Sequence, residues 1–244
     1  MSWYEEKIKK HPQYTNSKLV ADLNILYPPL ALNILKIFTL ARKEGLSVCV
    51  YETYRSQERQ TELFNKGVTK LKTNGMHHFG VATDIVFLDR GNNPSWDEKY
   101  DWKRLGEIGK SFGLIWGGDW PWDKPHFQLI PATVPDQGKI IKGEYPVYES
   151  SVNQCVTDLL SLYERVLVNK FSDSSIAEMV SYVENIGKKP VIEVVEISPI
   201  LVTESESQPI VPVVNKLETV ATNHEIKNPI IDFINSILKV LFRR

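Results

Sequence analysis

The sequence predicts an α+β domain, a small antiparallel sheet with flanking helices, followed by a helical and extended C-terminal appendage. Three observations carry that expectation. Helical and strand patterns mix over roughly the first 130 residues without regular βαβ alternation. Twelve of the 13 glycines and all six tryptophans precede residue 144, marking tight turns and a packed core there. After residue 144 the chain turns acidic, with 9 Lys+Arg against 13 Asp+Glu, where the first 144 residues carry 20 against 17.

A helix is expected over 28–44. Pro28-Pro29 suit its first turn, Leu32, Leu35, Ile37, Phe38, Leu40 and Ala41 supply apolar positions, and Gly45 stops it. Leu46–Thr53 is rich in Val and Tyr and alternates in part, which reads as a strand. Ser56 opens a second helix, with Leu63 and Phe64 facing inward and Gly67 at its end. Gly80 leads into a strand over 81–88, and a turn-rich loop follows. Leu105, Ile108 and Phe112 are spaced for one buried face of a helix over 102–112. Short strands are expected at 113–116 and 126–129, separated by a glycine- and tryptophan-rich loop.

Four segments are therefore expected: a domain over 1–143, a helical appendage over 144–187, an extended or disordered linker over 188–227, and a terminal helix over 228–244. The linker reading rests on four prolines in a stretch with no glycine or aromatic residue. In the last segment Ile230, Phe233, Ile234, Ile237, Leu238 and Leu241 recur at helical spacing. It is too short to cross a bilayer, and is expected to lie on a membrane or dock on a protein.

Composition bounds the function. The chain has 244 residues and a formal net charge of −1, which argues against nucleic acid as a partner. Cys49 and Cys155 are too few for a disulfide framework or a cysteine-rich zinc module. The charged N-terminus lacks the apolar stretch of a secretory signal, so the expectation is a cytoplasmic product at synthesis.

Histidines are scarce, with five in all. His77 and His78 precede Asp84, and His126 follows Asp119 and Asp123. A catalytic zinc site takes three protein ligands, commonly imidazoles with a carboxylate, and keeps a fourth position open. His77, Asp84 and His126 would provide such a set if a bend at Gly80 separates the first two, because seven residues of unbroken strand would turn them to opposite faces. His77 and His78 compete for one place on spacing alone, as do Asp119 and Asp123 for an acid–base role near His126. Arg55, past the strand over 46–53, offers a fixed cation for a substrate carboxylate or a developing oxyanion. The tryptophans of Trp116-x-x-x-Trp120-x-Trp122 read either as core or as the wall of a cleft.

Four motifs occur in order, Tyr54-Arg55-Ser56-x-x-x-Gln60, His77-x-x-Gly80-x-Ala82-x-Asp84, Trp116-Gly117-Gly118-Asp119-Trp120 and Asp123-x-Pro125-His126-Phe127, and the likeness they carry covers roughly residues 20–132. Together they resemble the zinc-dependent D-alanyl-D-alanine carboxypeptidase and L-alanyl-D-glutamate endopeptidase family of bacterial cell-wall peptidases. The Trp-Gly-Gly-Asp-Trp stretch looks most like the endopeptidase branch, which includes many phage endolysins. The resemblance implies one zinc ion, with His77, Asp84 and His126 as ligands, Asp123 as catalytic base and Arg55 as the substrate-polarising arginine. Gln60, Trp116, Asp119 and Trp120 are candidates for binding substrate. Gly75 stands where the family usually has serine, and His78 matches no family role.

The function expected is hydrolysis of the peptidoglycan stem peptide, foremost between L-Ala and D-Glu. A D-Ala-D-Ala carboxypeptidase is the alternative. A wall-binding module without catalysis is a third option, disfavoured because a structural zinc needs a fourth protein ligand. An enzyme of this kind without a signal would reach the wall by holin-type release.

Overall fold

The computed structural model describes residues 1–73, 75–120 and 122–186. The extended stretch expected over 188–227 and the helix expected over 228–244 lie outside the described residues.

Helix α1 (Pro28–Lys43) is the centre of the fold that the described residues form. Its two prolines occupy the first helical positions, where no backbone donor is lost, and Gly45 follows its end with φ +82°. Thirteen of its sixteen residues are buried. A helix buried on nearly all sides needs partners on all sides. The sheet, α3 (Trp102–Ser111), α5 (Ser151–Val168) and α6 (Asp173–Asn185) supply them. Val152, Leu159, Leu162, Tyr163, Val166, Met179 and Val183 of α5 and α6 share one core with Leu30, Ile34, Phe38 and Ala41 of α1. The helical segment expected as an appendage beyond residue 143 thus completes the burial of α1. Leucines and isoleucines around the whole of α1 were the sign that one sheet alone could not cover it.

The sheet runs in the order β1 (Val48–Glu52), β2 (Ala82–Leu88), β5 (His126–Gln128), β4 (Ile115–Trp116), and β3 (Pro94–Ser95) pairs with β2; all pairings are antiparallel. Helix α2 (Gln57–Asn65) follows β1, and Ser56 caps it by accepting a hydrogen bond from the Arg59 N–H. Two of the short elements that escaped the sequence patterns bear on the site and its surroundings. The first, a 3-10 turn at Met76–Phe79, precedes β2, and the second, α4 (Val134–Ile141), starts at a Thr133 cap with Pro135 in its first turn.

Glycines fix the approach of α3 to the sheet. A Cβ on Gly109 would overlap the ring of Phe127, and one on Gly106 would overlap the indole of Trp116. Gly109→Ala is therefore expected to destabilise the fold by about 1–3 kcal/mol, because overpacking here outweighs the ~1 kcal/mol gain in helix propensity. Urea unfolding of the purified variant measures it, and a gain in stability would contradict this packing. Among the described residues, no helix is long and apolar enough to cross a membrane.

Candidate active site

Three adjacent strands carry one site residue each at the same level. The register pairs Glu52 of β1 with Asp84 of β2, and Asp84 with His126 of β5. An unbroken register from the Val50–Ile85 pair would set Glu52 against Thr83; a one-residue irregularity between Val50 and Glu52 moves it beside Asp84 instead.

His77 arrives from the 3-10 turn, and Gly80 makes that possible. It has φ +68°, and a Cβ there would come within 2.7 Å of the Ile25 carbonyl oxygen, so both the conformation and the space demand glycine. Gly117 does the same for His126: a side chain would run into the Asp123 carbonyl and the His126 Cβ.

The three side chains converge. His77 Nε2 lies 3.1 Å from Asp84 Oδ1 and 3.1 Å from His126 Nδ1, and the latter is 3.5 Å from Asp84 Oδ1. A tetrahedral zinc site with N and O ligands at 2.0–2.2 Å has edges of about 3.3 Å, so the spacing fits a metal ion held by all three. The surrounding hydrogen bonds fit it too. Gln128 Nε2 donates to the Ile130 carbonyl at 2.6 Å, which turns Gln128 Oε1 toward His126 Nε2 at 2.9 Å. His126 therefore carries its proton on Nε2, leaving the Nδ1 lone pair for the cluster. The Nδ1 of His77 is buried without a partner, so its polar engagement is all at Nε2.

The electrostatics point the same way. Burial holds the pKa of His77 down, with Arg55 and His126 adding to it against the pull of Asp84, so this imidazole stays neutral. His126 is pushed up: burial opposes the shift, but Asp84, Asp123 and Gln128 outweigh it, so the surroundings favour a cation at its ring. Asp84 is held well below the usual carboxylate range despite its burial, by His77, by its close contacts with both imidazoles and by Arg55. An ionised carboxylate and two imidazoles facing one point form a donor set for a divalent metal.

Arg55 and Glu52 hold the carboxylate in place. Arg55 Nη2 donates to Asp84 Oδ2 at 3.1 Å, leaving Oδ1 to the cluster. Its Nε donates to Glu52 Oε2 at 2.9 Å, and Nη2 pairs with the same oxygen. Its Nη1 has a 3.5 Å contact to Gln60 Oε1. Burial alone would lower the Arg55 pKa, but Glu52 and Asp84 outweigh it and keep the guanidinium charged. Arg59 pairs with the other oxygen of Glu52. Glu52 is thus the buried counter-ion of two arginines, and the sequence reading passed over it. Its signal was a charged residue closing the apolar run Val48–Tyr51, with arginines three and seven positions later. Glu52→Ala leaves both cations short of charge in a buried setting, and is expected to destabilise the fold by about 3 kcal/mol in urea unfolding.

Asp123 stands at the rim, with Oδ2 3.9 Å from His126 Nδ1 and 42% of its side chain exposed. Burial of the carboxyl raises its pKa, and the Asp84 charge adds to this, while His126, His77 and Arg55 pull it down without cancelling the shift. Among the described residues it is the carboxylate beside the cluster that Arg55 does not hold.

The remaining candidates separate. Gln60 is buried, and its Nε2 donates to Thr69 Oγ1 at 3.3 Å and to the Leu71 carbonyl, tying the loop over 66–73 to α2. The Trp120 ring lies 5.6 Å from that of His126. Trp116 points inward instead, with its indole N–H donating to the Lys124 carbonyl at 2.7 Å, so it braces the loop that carries Asp123. Asp119 faces outward and pairs with Lys110 at 2.9 Å. His78 bonds Tyr4 Oη through Nε2 and approaches the Arg55 carbonyl through Nδ1, among the rings of Tyr14, Tyr54 and Phe79. It supports the segment around Arg55 and turns away from the cluster.

The stretch that carries His77, Asp84, Asp123 and His126 resembles known proteins. Residues 69–129 match the family model described as D-alanyl-D-alanine carboxypeptidase. The peptidoglycan L-alanyl-D-glutamate endopeptidase CwlK of Bacillus subtilis is 32% identical over 125 residues, covering 43% of this chain and 74% of that protein. An L-alanyl-D-glutamate peptidase of Listeria phage A118 is 30% identical over 120 residues, covering 48% of this chain and 42% of its own length. The crystal structure of the Serratia marcescens L-Ala D-Glu endopeptidase ChiX aligns at 26% identity over 47% of this chain and 92% of its own, with a TM-score of 0.38. On the match to the Bacillus protein, this chain is a peptidase and belongs to the family of D-alanyl-D-alanine carboxypeptidases and L-alanyl-D-glutamate endopeptidases.

Proposed function

We propose that the protein is a zinc-dependent peptidoglycan hydrolase that cuts the stem peptide between L-Ala and D-Glu. The observation that carries this reading is the rim carboxylate Asp123 standing 3.9 Å from His126 Nδ1, one face of a three-donor cluster. The names of the Bacillus and phage relatives support the choice of bond.

His77 Nε2, Asp84 Oδ1 and His126 Nδ1 would hold the zinc ion. Bound there, zinc supplies a Lewis acid that polarises the scissile carbonyl and makes water a nucleophile near neutral pH. Asp123 accepts the proton of the attacking water and delivers it to the nitrogen of the breaking C–N bond, so the products are an L-Ala carboxylate and the amine of D-Glu. Its raised pKa suits both halves of that transfer, since the carboxyl must gain and then lose a proton. Arg55 orients Asp84 through Nη2, and its Nη1, with only a long contact to Gln60, is the donor best placed for the developing oxyanion. Trp120 lines the approach beside His126.

The description of the matching family model favours a second reading, removal of a terminal D-alanine. Mass spectrometry of digested muropeptides separates the two. New L-Ala carboxyl and D-Glu amino termini are expected, and loss of a single terminal alanine alone would overturn the endopeptidase assignment.

A further inference from the structure

Cations near the site are mostly spent. Arg55 is held by Glu52 and Asp84, Arg59 by Glu52, Lys66 by Glu62, Lys110 by Asp119 and Lys124 by Glu98. Lys70 differs. Among the described residues it has no carboxylate partner; its ammonium rests 4.1 Å from the centre of the Trp122 ring, and that ring is 60% exposed.

The position of this pair has a consequence for the substrate. Trp122 precedes Asp123, the proposed proton carrier, so the nitrogen of the breaking bond must come close to it. Lys70 belongs to the opposite loop, which Gln60 anchors through Thr69 and Leu71 beside Arg55. The Lys70–Trp122 contact therefore joins the loop that Gln60 ties beside Arg55 to the loop that carries Asp123.

In an L-Ala–D-Glu substrate the leaving nitrogen sits on the carbon that bears the α-carboxyl of D-Glu. That carboxylate would enter beside the Asp123 carboxylate, and two like charges at close range repel unless a cation lies between or beside them. An exposed ammonium stacked on an aromatic face is held weakly, by about 0.5–1 kcal/mol, and can leave the ring for a better partner.

We propose that Lys70 is a specificity-determining residue that leaves Trp122 to bind the free α-carboxylate of D-Glu, so that the protein distinguishes acidic stem peptides from those in which this carboxyl is amidated. This rests on the endopeptidase reading above.

The test compares two muropeptides that differ only in that group, α-carboxylate against α-carboxamide, with the full-length zinc-loaded protein. The wild type is expected to favour the acid in kcat/KM by about tenfold or more, as a charge-assisted hydrogen bond provides. Lys70→Ala is expected to bring the ratio close to one, mainly through KM for the acid. Lys70→Arg should preserve the preference, and Lys70→Glu should reverse it. A wild type that cuts both substrates equally, or a Lys70→Ala variant that slows both in proportion, overturns the proposal. Cleavage of neither substrate by the wild type overturns the endopeptidase reading and this inference together.

Discussion

Asp123→Ala is expected to lower kcat/KM on cell-wall substrate by about 10²–10⁴-fold, the range in which a positioned general acid–base acts. Among the described residues the neighbourhood offers no substitute. Asp84 faces the ligand cluster and Arg55, Glu52 is locked between two arginines, and Asp119 is paired outward with Lys110. The variant should keep its metal and its stability. Asp123 is not among the three converging donors, and its raised pKa means that the folded state already disfavours its charge. Asp123→Asn should be nearly as inactive, because an amide at the same place cannot carry the proton. Zinc content by elemental analysis, a thermal melt and turnover on isolated muropeptides check the three expectations together. Turnover within tenfold of the wild type would remove Asp123 from the mechanism. Lost zinc would instead make it a ligand.

Much of this site is legible in the chain because the chemistry is local. His77, Gly80 and Asp84 occupy eight residues, and Asp123 and His126 occupy four. The bend at Gly80 was required by strand alternation alone, and the structure supplies it as a left-handed residue closing a 3-10 turn. The strands and long helices also followed from apolar spacing and glycine stops, to within a few residues at their ends. What the sequence hid depends on neighbours that the register creates. Glu52 is an unremarkable surface-type residue until a bulge sets it beside Asp84 and two arginines fold back on it. The tryptophans of the motif divide between core and rim for a similar reason: Trp116 packs where Gly106 and Gly118 leave room for an indole, which no periodicity in a loop can reveal. The role of α5 and α6 was hidden by composition, since their lack of glycine and tryptophan made them look separate from a core they complete.

Removing the metal tests the cluster most directly. Chelation of the purified protein is expected to abolish hydrolysis, and added zinc should restore it. The apo protein should also melt earlier, because a ligand that binds the folded state alone stabilises it by RT ln(1 + [L]/Kd), about 4 kcal/mol at a thousandfold excess over Kd. Without the ion, two imidazole nitrogens and a carboxylate oxygen remain within 3.1–3.5 Å of one another, and Arg55, on the other oxygen of Asp84, holds only one of the three. His126→Ala removes one donor of three and should leave a protein that zinc neither reactivates nor stabilises. Gln128→Ala separates orientation from ligation. It keeps all three donors but frees His126 Nε2, so zinc should still bind at one ion per chain with an affinity lower by about 10–100-fold, the usual consequence of losing the partner that orients a ligating imidazole. Competition with a chromogenic chelator reads that difference without reference to activity. Equal zinc affinity in the wild type and in both variants would place the metal elsewhere, whereas the graded order, wild type above Gln128→Ala above His126→Ala, follows from this geometry alone.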